Sequence, residues 1–147
     1  MKVIATNRRA RHDYQIDNTL VVGLVLTGAE VKSVKSGSIS LKGSFVRHKA
    51  GELYLVNAHI SPYKFAPSED NDPTRERKLL AHRKQIEELI EQASAQGMSA
   101  VPLKVGVERG LVKLEIGIGR GKKLHDKRET LRQKATKRDI ERDVKQK

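Results

Sequence analysis

The strongest constraint on the fold lies between Val101 and Gly119. Val101, Leu103, Val105 and Val107 alternate with Pro102, Lys104, Gly106 and Glu108. After Arg109-Gly110, Val112, Leu114, Ile116 and Ile118 alternate with Lys113, Glu115, Gly117 and Gly119. A β-strand turns successive side chains to opposite faces, so alternation on both arms predicts an antiparallel hairpin with one buried and one wet face. Pro102 lacks the N–H that a ladder uses, which predicts that the first arm begins at a sheet edge.

The remaining body supports a mainly β reading. Leu20–Leu26 is an apolar run suited to a buried strand. Leu41, Phe45 and Val46, then Leu53, Leu55 and Val56, predict a hairpin around His48-Lys49-Ala50-Gly51. Glu30–Lys35 reads as a short helix before the turn signal Ser36-Gly37. A longer helical region is expected from Asp72-Pro73, with Asp72 as N-cap and Pro73 at the first helical position. Leu79, Leu80, Ile86, Leu89, Ile90 and Ala93 continue it at helical spacing, and Gly97 ends it. Short antiparallel strands with one or two helices predict a small closed or half-closed barrel, with a β-sandwich as the alternative.

The charge divides the chain. The formal net charge is +12. Arg120–Lys147 holds 12 basic and 5 acidic residues, a net +7, against +5 for everything before it. Leu124, Leu131, Ala135, Ile140 and Val144 are the apolar residues of that stretch. Ordering a residue costs roughly 1–2 kcal/mol of backbone entropy, and one buried Leu or Ile returns about 1.5–3 kcal/mol. The expected division is therefore a folded body, 1–121, and a basic tail, 122–147, disordered when free. The tail is still suited to helix. It lacks Pro, Asp126 and Glu129 have capping-box spacing, and Leu131/Ala135 and Ile140/Val144 are each four apart. It reads either as a solvated charge run or as a segment that folds on an RNA surface.

Composition narrows the chemistry. A strongly basic chain calls for an anionic partner, nucleic acid or an acidic membrane surface. There is no Cys, so disulfides, Cys zinc sites, Fe–S clusters and a Cys nucleophile are excluded. No segment approaches the ~18 apolar residues of a membrane span, and the N-terminus lacks the apolar core of a signal peptide. A cytosolic location without membrane attachment is expected. His12, His48, His59, His82 and His125 are scattered, so no local zinc pair exists. Gly117-Ile118-Gly119-Arg120-Gly121-Lys122-Lys123 suggests a phosphate loop, but the GxxxxGK[ST] spacing would need Gly at 116 and Ser or Thr at 123, where Ile and Lys stand. No cofactor is implied.

Two classes of RNA function remain. A ribonuclease would use His12 and His125 as general base and acid beside lysines, but such a pair needs fixed geometry and His125 falls in the tail. A binding protein fits the basic clusters Arg8-Arg9-Arg11, Lys32/Lys35, Arg75-Arg77-Lys78, Arg83-Lys84 and the tail. Two Phe and three Tyr are few for a base-stacking surface, which favours recognition of folded RNA by shape and phosphate. Tyr14 and Tyr63 are the stacking candidates. A general ribosome- or RNA-associated structural protein is the broader form of this reading.

Five segments in order sharpen it. They are Asn7-Arg8-Arg9-Ala10-Arg11-His12-Asp13-Tyr14; Gly28-Ala29-Glu30-Val31-Lys32-Ser33; His59-Ile60-Ser61-Pro62-Tyr63; Asp72-Pro73-Thr74-Arg75-Glu76-Arg77-Lys78-Leu79-Leu80; and Arg120-Gly121-Lys122-Lys123-Leu124-His125-Asp126-Lys127-Arg128-Glu129. Together they resemble the SsrA-binding protein family, small protein B, over nearly the whole chain. The resemblance implies an OB-fold-like closed antiparallel β-barrel with flanking helices and a basic C-terminal tail. It implies two partners, transfer-messenger RNA through its tRNA-like domain and the ribosome at the small-subunit decoding site and mRNA channel. It also implies a protein that is monomeric when free, uses no cofactor or metal, and catalyses nothing. Carried onto matching positions, Asn7, His12, Tyr14, Glu30, Lys32, Leu80 and Lys113 face RNA from the body, with core or structural roles open for Glu30 and Leu80. Arg120, Gly121, Lys122, Lys123, His125, Asp126, Lys127 and Arg128 meet the decoding site, with helix capping open for Asp126. The chain departs from the family pattern at Val21-Val22, where an acidic-Ala pair is common, at Lys35 and Gly43, and at Gly106, where an aromatic is usual.

Overall fold

The computed structural model describes residues 1–62 and 72–121. In chain order these form β1 (Lys2–Thr6), α1 (Arg8–Asp13), β2 (Tyr14–Leu24), α2 (Gly28–Lys35), β3 (Ile39–Ser40), β4 (Phe45–Lys49), β5 (Glu52–Val56), β6 (His59–Ile60), β7 (Arg77–Leu80), α3 (Arg83–Ala93), β8 (Met98–Glu108) and β9 (Leu111–Gly121). Tyr63 and the tail from Lys122 onward, with its expected contacts and helix, lie outside the described residues.

The alternating segments form the hairpin they predict, but not a single wet face: beyond the register shift at Pro102/Lys104, Val101 and Leu103 join Ala10 in a second apolar cluster. β8 pairs with β9 from Met98↔Arg120 to Glu108↔Leu111. Arg109 and Gly110 both have positive φ, as a two-residue hairpin turn with matching twist requires. Val105, Leu114 and Ile116 are fully buried, while Lys104, Lys113 and Glu115 lie on the opposite, outer face. The second hairpin, β4–β5, turns at Ala50-Gly51, also as expected.

All strands of the main sheet are antiparallel, in the order β1-β8-β9-β2-β7-β5-β4, and β3 pairs with β6 in a small second sheet. The main sheet curls until β4 comes beside β8, giving the mainly β, barrel-type fold with flanking helices. At that seam no ladder joins β4 to β8 among the described residues. Phe45, Val46 and His48 of β4 face Met98–Val101 of β8 across a groove, with Leu89, Ile90 and Ala93 of α3 lining it. The core combines Leu53, Leu55, Leu79, Val105 and Leu114 from strands with Val34 of α2 and Ile86 and Leu89 of α3.

The region from Asp72 departs from its expected helix. Arg77–Leu80 is a strand between β2 and β5, with Leu79 opposite both Leu24 and Leu53. Asp72 accepts from the backbone N–H and hydroxyl of Thr74, a local turn rather than a helix cap. Two adjacent leucines fit either period, and the gap between β2 and β5 settles the choice: a strand there satisfies ladder groups on both sides. The helix begins at Arg83, where the Gln85 side chain accepts from the His82 N–H, and it ends at Ala93. Gly97, with positive φ, belongs to the turn into β8.

One smaller expectation also changes, and another holds. The run Leu20–Leu26 is only half buried: Val22 and Leu24 face the core while Val21 and Val25 are exposed. Pro102 meets its expectation locally: β8 lies between β1 and β9, yet among the described residues Met98–Pro102 pair with β9 alone, so the first arm begins at an edge. The β1–β8 pairing ends at Thr6↔Lys104, and the β8–β9 register shifts between Pro102 and Lys104, so the proline sits at a bulge beyond its neighbour's end.

Candidate RNA interface

The register places Lys113 and Leu80 on one outer row. Gly23 of β2 pairs with Lys113 of β9 on one side and with Leu80 of β7 on the other. Paired residues share a face, so Lys113, Gly23 and Leu80 lie side by side. Gly106 continues the row beyond Lys113, followed by Val3 of β1. Leu80 is 55% exposed, which answers the core alternative left open by the sequence. Lys113 Nζ is 3.5 Å from Glu108 Oε1. A Cβ at Gly23 would stand 3.2 Å from the Leu80 Cβ, so glycine keeps the centre of the row low between its two neighbours.

The helix α1 lies along the same face. Asn7 caps it: Oδ1 accepts from the Ala10 N–H at 3.3 Å, and Nδ2 donates to Pro102 O at 2.9 Å. Both ends of the amide are thus used to seat α1 on β8. Ala10 packs on Val101 and Leu103, with Tyr14 and Ile16 at the margin of this second apolar cluster. Tyr14 is half buried there. His12 is exposed, with Nδ1 3.1 Å from Asp13 Oδ1. Arg11 Nη2 and Lys104 Nζ stand 3.9 and 3.7 Å from the same Glu115 oxygen. Val21, directly opposite Glu115 on β2, is the exposed apolar residue at the position where an acid is common.

Glu30 is placed differently. Thr27 caps α2 by accepting from the Glu30 N–H, and the Glu30 carboxylate accepts in return from the Thr27 N–H. The same carboxylate accepts from Arg75 and from Arg77. Glu30 is buried, and Arg77 has no exposed surface at all. Burial pushes the Glu30 carboxyl up, but the hydrogen bonds from Arg75, the Thr27 N–H and Arg77 outweigh it and hold the group below the usual carboxylate range. Glu30 therefore takes its structural role, and Lys32 is exposed on the same helix.

The cluster Arg75-Arg77-Lys78 does not present a uniform basic surface. Arg77 points inward in phase with Leu79, Lys78 points outward near Glu52, and Arg75 is partly exposed. The inward arginine was legible as a charge in phase with a core leucine, but only once the segment is known to be a strand. The outer β4–β5 face also holds two aromatics, Phe45 and Tyr54, that were not among the stacking candidates. Arg47 lies 5.7 Å from the Phe45 ring centre and Lys49 Nζ 5.0 Å from that of Tyr54.

The described part of the glycine-rich segment, residues 117–121, is strand and not a loop. Gly117 and Gly119 are buried in β9. A Cβ at Gly117 would meet Leu103 Cδ1 at 2.8 Å, and one at Gly119 would run into the backbone of Gln15. Their role is close packing beneath α1 and β2. A Cβ at Gly106 would run into Met1, whose side chain fills the space left by the missing bulk there. Among the described residues no group of three or more His, Asp and Glu could hold a metal ion, and no helix is long and apolar enough to cross a membrane.

Comparison with known proteins agrees with these motifs. The family model described as SmpB protein matches residues 4–146. An SsrA-binding protein of Shouchella clausii is 52% identical, covering 99% of this chain and 93% of the relative. One of Syntrophotalea carbinolica is 51% identical over 97% and 95%. A solved structure described as "tmRNA-SmpB: a journey to the center of the bacterial ribosome" matches with a TM-score of 0.67 and 45% identity, over 80% of this chain and 82% of that one. With the family model matching residues 4–146 and relatives about half identical over nearly its whole length, the chain belongs to the SmpB family.

Proposed function

We propose that the chain binds the tRNA-like domain of transfer-messenger RNA and delivers it to ribosomes stalled without a downstream codon. Its relatives are named SsrA-binding proteins, and the matching solved structure concerns tmRNA and SmpB in the ribosome. Within the fold, the observation that carries the reading is the outer row Leu80–Gly23–Lys113. It sets an apolar side chain and a cation on either side of a flat centre. That suits a ribose or base face together with a phosphate, the means by which folded RNA is read by shape.

The body, 1–121, takes the tRNA-like domain on this face, with His12 and Lys32 as further contacts. Asn7 and Tyr14 support it by seating α1. The tail, 122–147, enters the empty mRNA channel and folds to a helix there. Arg120, Gly121, Lys122, Lys123, His125, Asp126, Lys127 and Arg128 meet the decoding site. The protein works in the cytoplasm through shape and charge and carries out no bond-breaking step.

Competition gel shifts test the body. Selective binding of the tRNA-like domain over ordinary tRNA and duplex RNA is expected, and equal binding of all three would point to a general RNA-associated protein instead. Truncation after Gly121 tests the tail: RNA binding persists while peptide tagging on stalled ribosomes is lost. RNA incubated with the purified protein stays intact, and cleavage abolished by His12→Ala/His125→Ala would restore the ribonuclease reading.

A further inference from the structure

Glu30 faces two guanidinium groups with one negative charge. Arg77 donates to Oε2 through Nε at 3.0 Å and Nη2 at 2.7 Å. Arg75 donates to Oε2 through Nε at 3.2 Å and to Oε1 through Nη2 at 2.5 Å. The Thr27 N–H adds a further bond to Oε1 at 3.0 Å.

The two arginines are not equivalent. Arg77 is fully buried, and its remaining bonds go to Ala58 O at 2.7 Å, Pro73 O at 3.0 Å and Asp72 O at 3.5 Å. Its single charge matches that of the buried carboxylate. Arg75 leaves 34% of its side chain exposed, and its Nη1 donates only to Glu76 O, at 3.3 Å. A guanidinium carries five N–H groups in a fixed planar fork. Three are engaged in Arg75, so two, one on each terminal nitrogen, have no acceptor among the described residues.

We propose that Arg75 binds a phosphate of the RNA partner and that Glu30 positions it for this. The surplus positive charge at the pair is Arg75's, since Arg77 neutralises Glu30 without it. The two unengaged N–H groups belong to different terminal nitrogens, the geometry that grips two oxygens of one phosphate. A long cationic side chain normally loses rotamer freedom on binding, but the contacts to Glu30 and Glu76 O have already fixed this one. Arg47 and Lys49 share Glu76, and Arg11 and Lys104 share Glu115, but those carboxylates are more exposed than Glu30 and hold their cations at one contact each. The inference rests on the RNA-binding reading. The phosphate belongs either to the tRNA-like domain or to ribosomal RNA.

The experiment measures affinity against salt for full-length protein, on the isolated tRNA-like domain in one arm and on small ribosomal subunits in the other. Each neutralised phosphate contributes about 0.7–0.9 to the log–log slope. Arg75→Gln is expected to reduce the slope by about that amount on one of the two RNAs. Arg75→Lys restores the slope but only part of the affinity, because an ammonium lacks the fork. Urea unfolding of both variants accompanies the titrations. An unchanged slope on both RNAs, with wild-type binding intact, overturns the role of Arg75 alone, and a lowered unfolding midpoint with unchanged slopes makes it a purely structural residue. Absence of salt-dependent binding by the wild type on either RNA removes the RNA-binding reading and this inference with it.

Discussion

Arg77 reaches across 47 residues of sequence to Glu30, donating at 3.0 and 2.7 Å from a position with no exposed surface. The pair ties β7 to α2 and, through Ala58 O and Pro73 O, to the segments on either side of residues 63–71. Removing one partner of a buried pair strands the other charge, at a cost of about 3–5 kcal/mol. Glu30→Ala is expected to lose stability of that order in urea unfolding. A loss under about 1 kcal/mol would mean that the network does not hold the fold together.

The same carboxylate makes stability depend on acid. Burial opposes its ionisation, yet the bonds from Arg75, Thr27 and Arg77 hold its folded value below the unfolded one. A lowered carboxyl stabilises the protein above the unfolded value and loses that contribution as pH falls through the folded one. The stability gap between wild type and Glu30→Gln therefore narrows on acidification from neutral pH to below the carboxylate range. Thermal unfolding of the two proteins across that range gives the gap directly, and a constant gap would contradict the assignment.

Leu79 and Leu80 are neighbours with opposite roles. Leu79 is fully buried between Leu24 and Leu53, and Leu80 is exposed beside Gly23. Leu79→Ala should cost about 2–5 kcal/mol of stability. Leu80→Ala should change stability by less than about 0.5 kcal/mol yet weaken binding of the tRNA-like domain. Lys113→Gln, on the same row, should weaken binding and reduce its salt slope by about 0.7–0.9. Equal effects of the two leucine changes on both readouts would remove the distinction between faces.

Gly119 is set against backbone and Gly117 against side chains. An added methyl at 119 must move the chain at Gln15, whereas one at 117 meets Leu103 and Ile16, which can shift rotamer. Gly119→Ala is expected to cost the larger share of the roughly 1–3 kcal/mol typical of overpacking. Denaturant midpoints for the two variants rank them, and the reverse order would show that β2 yields more readily than the second apolar cluster.

Much of the β framework was legible from local pattern. The β8–β9 and β4–β5 hairpins follow from alternation and turn residues, and the end of α2 from the turn signal Ser36-Gly37, because these signals act between residues close in sequence. The region 72–82 was not legible in the same way. Asp72-Pro73 and the paired leucines carry a local helix signal, and the sheet overrides it because β2 and β5 each leave ladder groups that β7 satisfies. The candidate site divides along the same line. Lys113 and Leu80 stood out as individual residues, but their adjacency depends on the strand order β9-β2-β7.

By itself the sequence determined the mainly β character, the concentration of positive charge from Arg120 onward, the absence of cysteine chemistry and the family motifs, all of which reside in composition, spacing and short-range periodicity. Only the tertiary structure decided which charges are inside. Arg75, Arg77 and Lys78 are alike on paper, yet one anchors the core, one faces solvent and one stands between. That outcome is set by which face of β7 meets Glu30, a long-range register that a carboxylate 47 residues away enforces because a buried guanidinium requires its partner.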